Sequence, residues 1–104
     1  MIARLVLWSL ADSKTTIEEL RRVLRDEVVD AVADIEGLRL KLWVSDELTD
    51  RFGALELWDG PVPDDTATYE RERALIGKDP EIGEEFALEA AVGGGLSDLG
   101  LAFE

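Results

Sequence analysis

The residue types that do most enzyme chemistry are missing from this chain. It has no His and no Cys. No imidazole can titrate near neutral pH, no thiolate can attack, and no ordinary zinc site can form. Asn and Gln are absent as well. Carboxylates, guanidinium groups, three lysines, one phenol and three indoles remain, beside the Ser and Thr hydroxyls. The phenol is Tyr69, which can donate a hydrogen bond to a developing oxyanion. Arg71 and Arg73 follow it closely and can hold an anionic substrate. Tyr69 and Arg73 are therefore candidate substrate-binding residues. Glu81, Glu85 and Glu89 stand four apart, with Glu84 beside them. Carboxylates alone bind hard cations such as Ca²⁺ or Mg²⁺, but a solvated helix face accounts for this stripe. Asp64-Asp65 reads as turn and cap chemistry. Gly93-Gly94-Gly95 lacks the Lys-Ser/Thr of a phosphate loop and reads as a helix stop and hinge. No metal and no cofactor is expected.

These groups must be positioned by 104 residues, the length of one domain. Residues 1–104 are read as a single unit with no linker or repeat. The net charge is −13, from 24 acids against 11 bases. That disfavours nucleic acid and anionic membrane, whose phosphates must be met by Lys and Arg. No run approaches the roughly 18 apolar residues of a membrane span. The apolar start MIARLVLWSL lacks the basic region and cleavage site of a signal peptide. With no Cys to form disulfides, a cytoplasmic location is expected. High Asp and Glu with little Lys points to a salt-adapted or GC-rich microbe.

Alternation predicts strands over 2–10, 38–44 and 52–59. Thr15 and Thr16 each stand three residues before a glutamate, so a capping box can close in either register. Ile17, Leu20, Leu24, Val28 and Ile35, with Ala31 or Val32, form one helical stripe. Gly37 supplies the left-handed residue after it. Gly60 to Asp65 is a loop broken by two prolines. Thr66 can cap a helix through about Ile76. Asp79-Pro80 restarts a helix with stripe Ile82, Phe86 and Ala90. Leu99, Leu101 and Phe103 suggest a last strand. The order is β-α-β-β-α-β, an α+β ferredoxin-like arrangement with an antiparallel sheet.

Such a sheet carries helices on one face. Leu38, Leu40, Leu42 and Val44 share one parity and Lys41 and Trp43 the other. Leu55 and Leu57 oppose Phe52, Ala54, Glu56 and Trp58. The aliphatic face is expected under the helices. The face carrying Arg4, Trp8, Lys41, Trp43 and Glu56 is then expected to meet a second copy, because tryptophans left in water make a large apolar patch. In that homodimer Glu56 pairs with Arg4 or Lys41.

Gly37, Lys41-Leu42-Trp43, the polar turn, Gly53-Ala54 and Leu57-Trp58-Asp59 together resemble the dimeric α+β barrel superfamily. The resemblance is nearest to small monooxygenases related to the antibiotic-biosynthesis monooxygenases. It covers almost the whole chain in length and element order. It implies a homodimer with a pocket in each subunit between sheet and helices. It also implies oxidation of a small aromatic or quinol-type molecule by molecular oxygen, without metal or flavin. Trp58 stands where such relatives place a pocket tryptophan. Four residues earlier they often carry a polar amide, and this chain has Ala54. Haem-degrading relatives need a histidine that is absent here. The expectation is a cofactor-independent monooxygenase-like protein. The alternative is a non-catalytic homodimeric small-ligand-binding or interaction module of the same fold.

Overall fold

A computed structural model describes residues 1–63 and 68–92. The alternating segments form β1 (Ile2–Ser9), β2 (Leu38–Asp46) and β3 (Arg51–Trp58). A fourth strand, β4 (Ile82–Ala87), follows. The sheet order is β2-β3-β1-β4, and every neighbouring pair is antiparallel. The architecture is α+β and compatible with a ferredoxin-like arrangement.

Thr16 caps α1 (Ile17–Val23), its hydroxyl accepting from the Glu19 amide at 3.1 Å. Of the two capping registers, the chain uses Thr16 with Glu19, and Thr15 supports it by donating to the Glu19 carboxylate at 3.1 Å. The helix then widens into a π-helical segment (Leu24–Val28) before α2 (Val29–Ala33). The wide turn lets Val23, Val28 and Val32 form one buried cluster, against which Leu24, Leu38 and Trp43 pack. Gly37, at φ 85°, turns the chain into β2. The last described helix, α3 (Glu70–Ile76), ends at Gly77. No helix among the described residues is long and apolar enough to cross a membrane.

Two expected elements differ. The segment after Asp79-Pro80 is a strand, not a helix. An isolated β1 edge would leave backbone donors and acceptors unpaired, and β4 satisfies them along Ile2 to Leu7. Gly83, opposite Val6, would also weaken a helix by about 1 kcal/mol relative to alanine. The Glu81 carboxylate anchors the strand's start, accepting from the Ser9 amide and pairing with Lys78 at 2.6 Å. The Glu81, Glu85 and Glu89 stripe is thus a strand and its flank, with all three exposed. The helix expected from Thr66 begins at Glu70. Thr66, Asp64-Asp65, Gly93-Gly94-Gly95 and the strand expected at 99–103 lie outside the described residues.

The larger correction concerns the two faces. Val6, Trp8, Phe52, Leu20, Ile17 and Ile76 form the main core, so the tryptophan parity lies under the helices. The leucine parity is the open face. Arg4, Trp8, Lys41, Trp43 and Glu56, expected toward a second copy, are instead covered within the subunit. Volume explains this: Trp8, Trp58 and Phe52 are among the largest fully buried side chains, and each buries 150–250 Å² or so. The bulge between Leu38 and Leu40 also breaks the simple parity of β2. It turns Leu38 toward the helices while Leu40 joins the open face.

Candidate functional site

The covered face holds four paired charges. Arg4 on β1 donates from Nε to Glu56 on β3 at 2.7 Å, and from Nη2 to the Thr68 hydroxyl at 2.7 Å. Lys41 on β2 stands between two carboxylates, 3.4 Å from Glu56 Oε2 and 3.4 Å from Glu72 Oε2 on α3. Its ammonium also donates to the Thr68 carbonyl. The side chains of Glu56, Lys41, Glu72 and Arg4 are 0, 2, 3 and 10 % exposed. A cluster this dry must be internally neutral, and two cations against two anions make it so.

The indoles serve the same carboxylates. Trp58 Nε1 donates to Glu56 Oε1 at 3.1 Å, and Trp43 Nε1 approaches Glu72 Oε2 at 3.4 Å. The Arg4 guanidinium lies 5.7 Å from the Trp58 ring centre and 5.4 Å from that of Tyr69. Lys41 Nζ lies 5.0 Å from the Trp43 ring centre. These are cation–π distances. Tyr69 meets Trp8 edge to face at 5.5 Å, and Trp8 donates to the Lys78 carbonyl at 2.9 Å. Burial pushes the Glu56 carboxyl upward. The Arg4 hydrogen bond and the charges of Lys41 and Arg4 outweigh it, so the net direction is down from the ordinary glutamate value.

The two carboxylates are not equally served. Glu56 has Arg4 and Trp58 on Oε1, while its Oε2, 3.4 Å from Lys41, is buried without a hydrogen-bond partner among the described residues. Glu72 has two contacts, both at 3.4 Å and both on Oε2. Its Oε1 is buried without a hydrogen-bond partner among the described residues.

Two clefts reach this region from either side of Val32. One, of about 290 Å³, lies between α2 and β2 and is lined by Val29, Val32, Leu38, Lys41 and Trp43. The other, of about 380 Å³, lies between the π segment with α2 and the α3 region, with Thr68 and Glu72 among its lining residues. Neither is lined by Trp58 or Tyr69.

Of the expected substrate-binding residues, Trp58 and Tyr69 come together, but around Arg4. Arg73 is exposed and pairs with Asp79. Arg71 is exposed and pairs with Glu27 at 3.2 Å. The sequence reading missed Glu72 and Thr68. A signal was available: Glu72 lies between Tyr69 and Ile76 at helical spacing, so it occupies a position of the apolar stripe.

Compared with known proteins, the chain matches no family model and no curated sequence.

Proposed function

We propose that the chain forms a homodimer of the dimeric α+β barrel type, with clefts beneath its helices that take a small, apolar-bodied ligand. The observation that carries the dimer is the open sheet face. Three cross-strand rungs run across it: Leu40–Leu57–Ala3–Phe86, Leu42–Leu55–Leu5–Glu84 and Val44–Gly53–Leu7–Ile82. Within these three rungs Glu84, on the edge strand, is the only charge; the next rung carries the paired Asp46 and Arg51 at one end of the face. Leu55 is 44 % exposed and Phe86 53 %. An apolar surface spanning a whole sheet marks an interaction site. A second copy suits it because two chains of charge −13 associate best through their least charged surfaces. Analytical ultracentrifugation tests this: a dimer that tightens with added salt is expected, and a monomer at all concentrations defeats it.

The ligand-binding half rests on the clefts, whose size suits small molecules. The charge cluster reads as structural, since its cations are engaged within the subunit. The monooxygenase-like reading keeps one supporting observation, the convergence of Trp58 and Tyr69 on Arg4. Oxygen consumption with a naphthalenediol tests it. Turnover lost on replacing Tyr69 by Phe favours an enzyme, and no uptake above buffer favours the binding module.

A further inference from the structure

We propose that Val32 sets the length of molecule that the clefts accept, and that this molecule is a neutral apolar chain. This rests on the ligand-binding half of the reading above and names the ligand's size limit and charge. Val32 is 5 % exposed, and among the described residues it alone lines both clefts. Helical spacing puts it there. Val29 and Ala33 line the cleft toward β2, and Val28 and Ala31 line the one toward α3. Val32 is four residues from Val28 and three from Val29, so it stands between the two flanks. The polar lining divides at the same place. Lys41 lines the first cleft and Glu72 the second, and the two meet at 3.4 Å. Trp43, in the first cleft, packs against the cluster that holds Val32 and brings its indole to Glu72. One valine and one ion pair thus separate the clefts.

That wall decides both properties of the ligand. Its two charges are buried and engaged with each other, inside a cluster that is neutral as a whole. A charged group brought against it would lose its hydration and gain no free counter-charge. The other charged lining residues are exposed and keep their water: Glu70, Arg39 with Asp59, and Arg71 with Glu27. The buried end of a ligand is therefore neutral and apolar. Its length follows from volume. The clefts measure about 290 and 380 Å³. At roughly 30 Å³ per heavy atom, the share of a water molecule in the liquid, each holds about nine to twelve heavy atoms. A longer chain can bury its remainder only by passing Val32.

The test uses the full chain and straight-chain alcohols from 1-hexanol to 1-dodecanol, titrated by tryptophan fluorescence, to which Trp43 contributes and the alcohols do not. Each buried CH₂ should tighten binding about fourfold. In the wild type that gain is expected to stop within the series, once one cleft is full. Val32→Ala removes two methyl groups from the wall, and its gain should continue to 1-dodecanol. Val32→Ile thickens the wall and should stop at a shorter chain. Val23→Ala makes the same truncation in the same buried cluster but lines neither cleft, so it should stop where the wild type does. A limit unmoved in both Val32 variants, with circular dichroism showing them folded, overturns the proposal and leaves ligand binding intact. A gain that continues to 1-dodecanol in the wild type does the same. A limit that lengthens equally in Val23→Ala also overturns it, because general loosening of the core then accounts for the change. Octanoate and 1-octylamine should bind more weakly than 1-octanol, and tighter binding of either overturns the assignment of a neutral ligand. Failure of every alcohol to bind overturns the size limit and the ligand-binding half together. Sedimentation reads the dimer independently.

Discussion

Replacing Lys41 by methionine removes the cation that two buried carboxylates share. The ammonium lies 3.4 Å from Glu56 Oε2 and 3.4 Å from Glu72 Oε2. At an effective dielectric near 20, each contact corresponds to about 5 kcal/mol of gross attraction. Losing the lysine also removes its own desolvation cost, which is several kcal/mol or so and offsets much of that attraction. What remains is the penalty of two carboxylates held in a dry interior against Arg4 alone. The expected net loss is about 3–5 kcal/mol, the usual range for a broken buried pair. Against a total stability of roughly 5–15 kcal/mol, that brings the fold near its limit. Urea unfolding at neutral pH, followed by tryptophan fluorescence, is the assay, since Trp43 and Trp58 both touch the cluster. Adding Glu72→Met to Lys41→Met restores internal neutrality and should recover most of the loss. A single-variant loss under about 1 kcal/mol, the value of a solvated surface pair, would refute the reasoning: the ammonium would then have to be reaching water.

Acid should act through Glu56, whose folded-state value lies below its unfolded one. Its stabilising contribution is complete above the ordinary value of 4.5 and disappears as pH falls through the depressed folded value. Urea midpoints should therefore drop below that pH in the wild type, and drop less steeply in Glu56→Gln. Gly53→Ala should destabilise by about 1–3 kcal/mol or more, because an added Cβ would collide with the Val6 carbonyl and come within 2.7 Å of Leu7 Cδ2; a thermal melt unchanged from wild type contradicts that packing. Leu55→Arg places a cation at the centre of the open face and should convert the dimer to a folded monomer, read by sedimentation together with circular dichroism.

Alternation, caps and turns made the first three strands and the first helix legible from residue types alone. Thr16 with Glu19, the stripe from Ile17 to Val32, and Gly37 all follow local rules. What local rules do not contain is which side of an alternating strand receives the helices. Both parities of β2 and β3 can bury apolar area, one through leucines and the other through tryptophan and phenylalanine. The choice also depends on a residue of another element, since Glu72 on α3 gives Lys41 a second counter-charge beside that of Glu56. For the same reason, charged residues placed among tryptophans read as an interface when they belong to a neutral interior. The fourth strand was hidden differently. Ile82 and Phe86 fit a helical stripe and a strand alternation equally well, and the unpaired edge of β1 decides between them.

The cluster also does something the leucines cannot. Arg4 faces Glu56 across β1 and β3, Lys41 faces Glu56 across β2 and β3, and Glu85 faces Arg4 from β4. The charges thus alternate in sign along one rung of the whole sheet. Slipping a strand by one residue exchanges its faces and is rejected by hydrophobicity, but a slip of two keeps the faces. On the open face such a slip exchanges leucine for leucine or alanine at little cost. On the covered face it moves Arg4 opposite Ala54 or Trp58 and strands a guanidinium in the core. We therefore expect replacement of Arg4, Lys41, Glu56 and Glu72 together by apolar residues to preserve much of the stability and lose the single register. Amide NMR spectra of that variant should show doubled or broadened strand resonances. One sharp set would instead assign the register to the tight approach of Gly53 against Leu7, and leave the four charges with a purely local role.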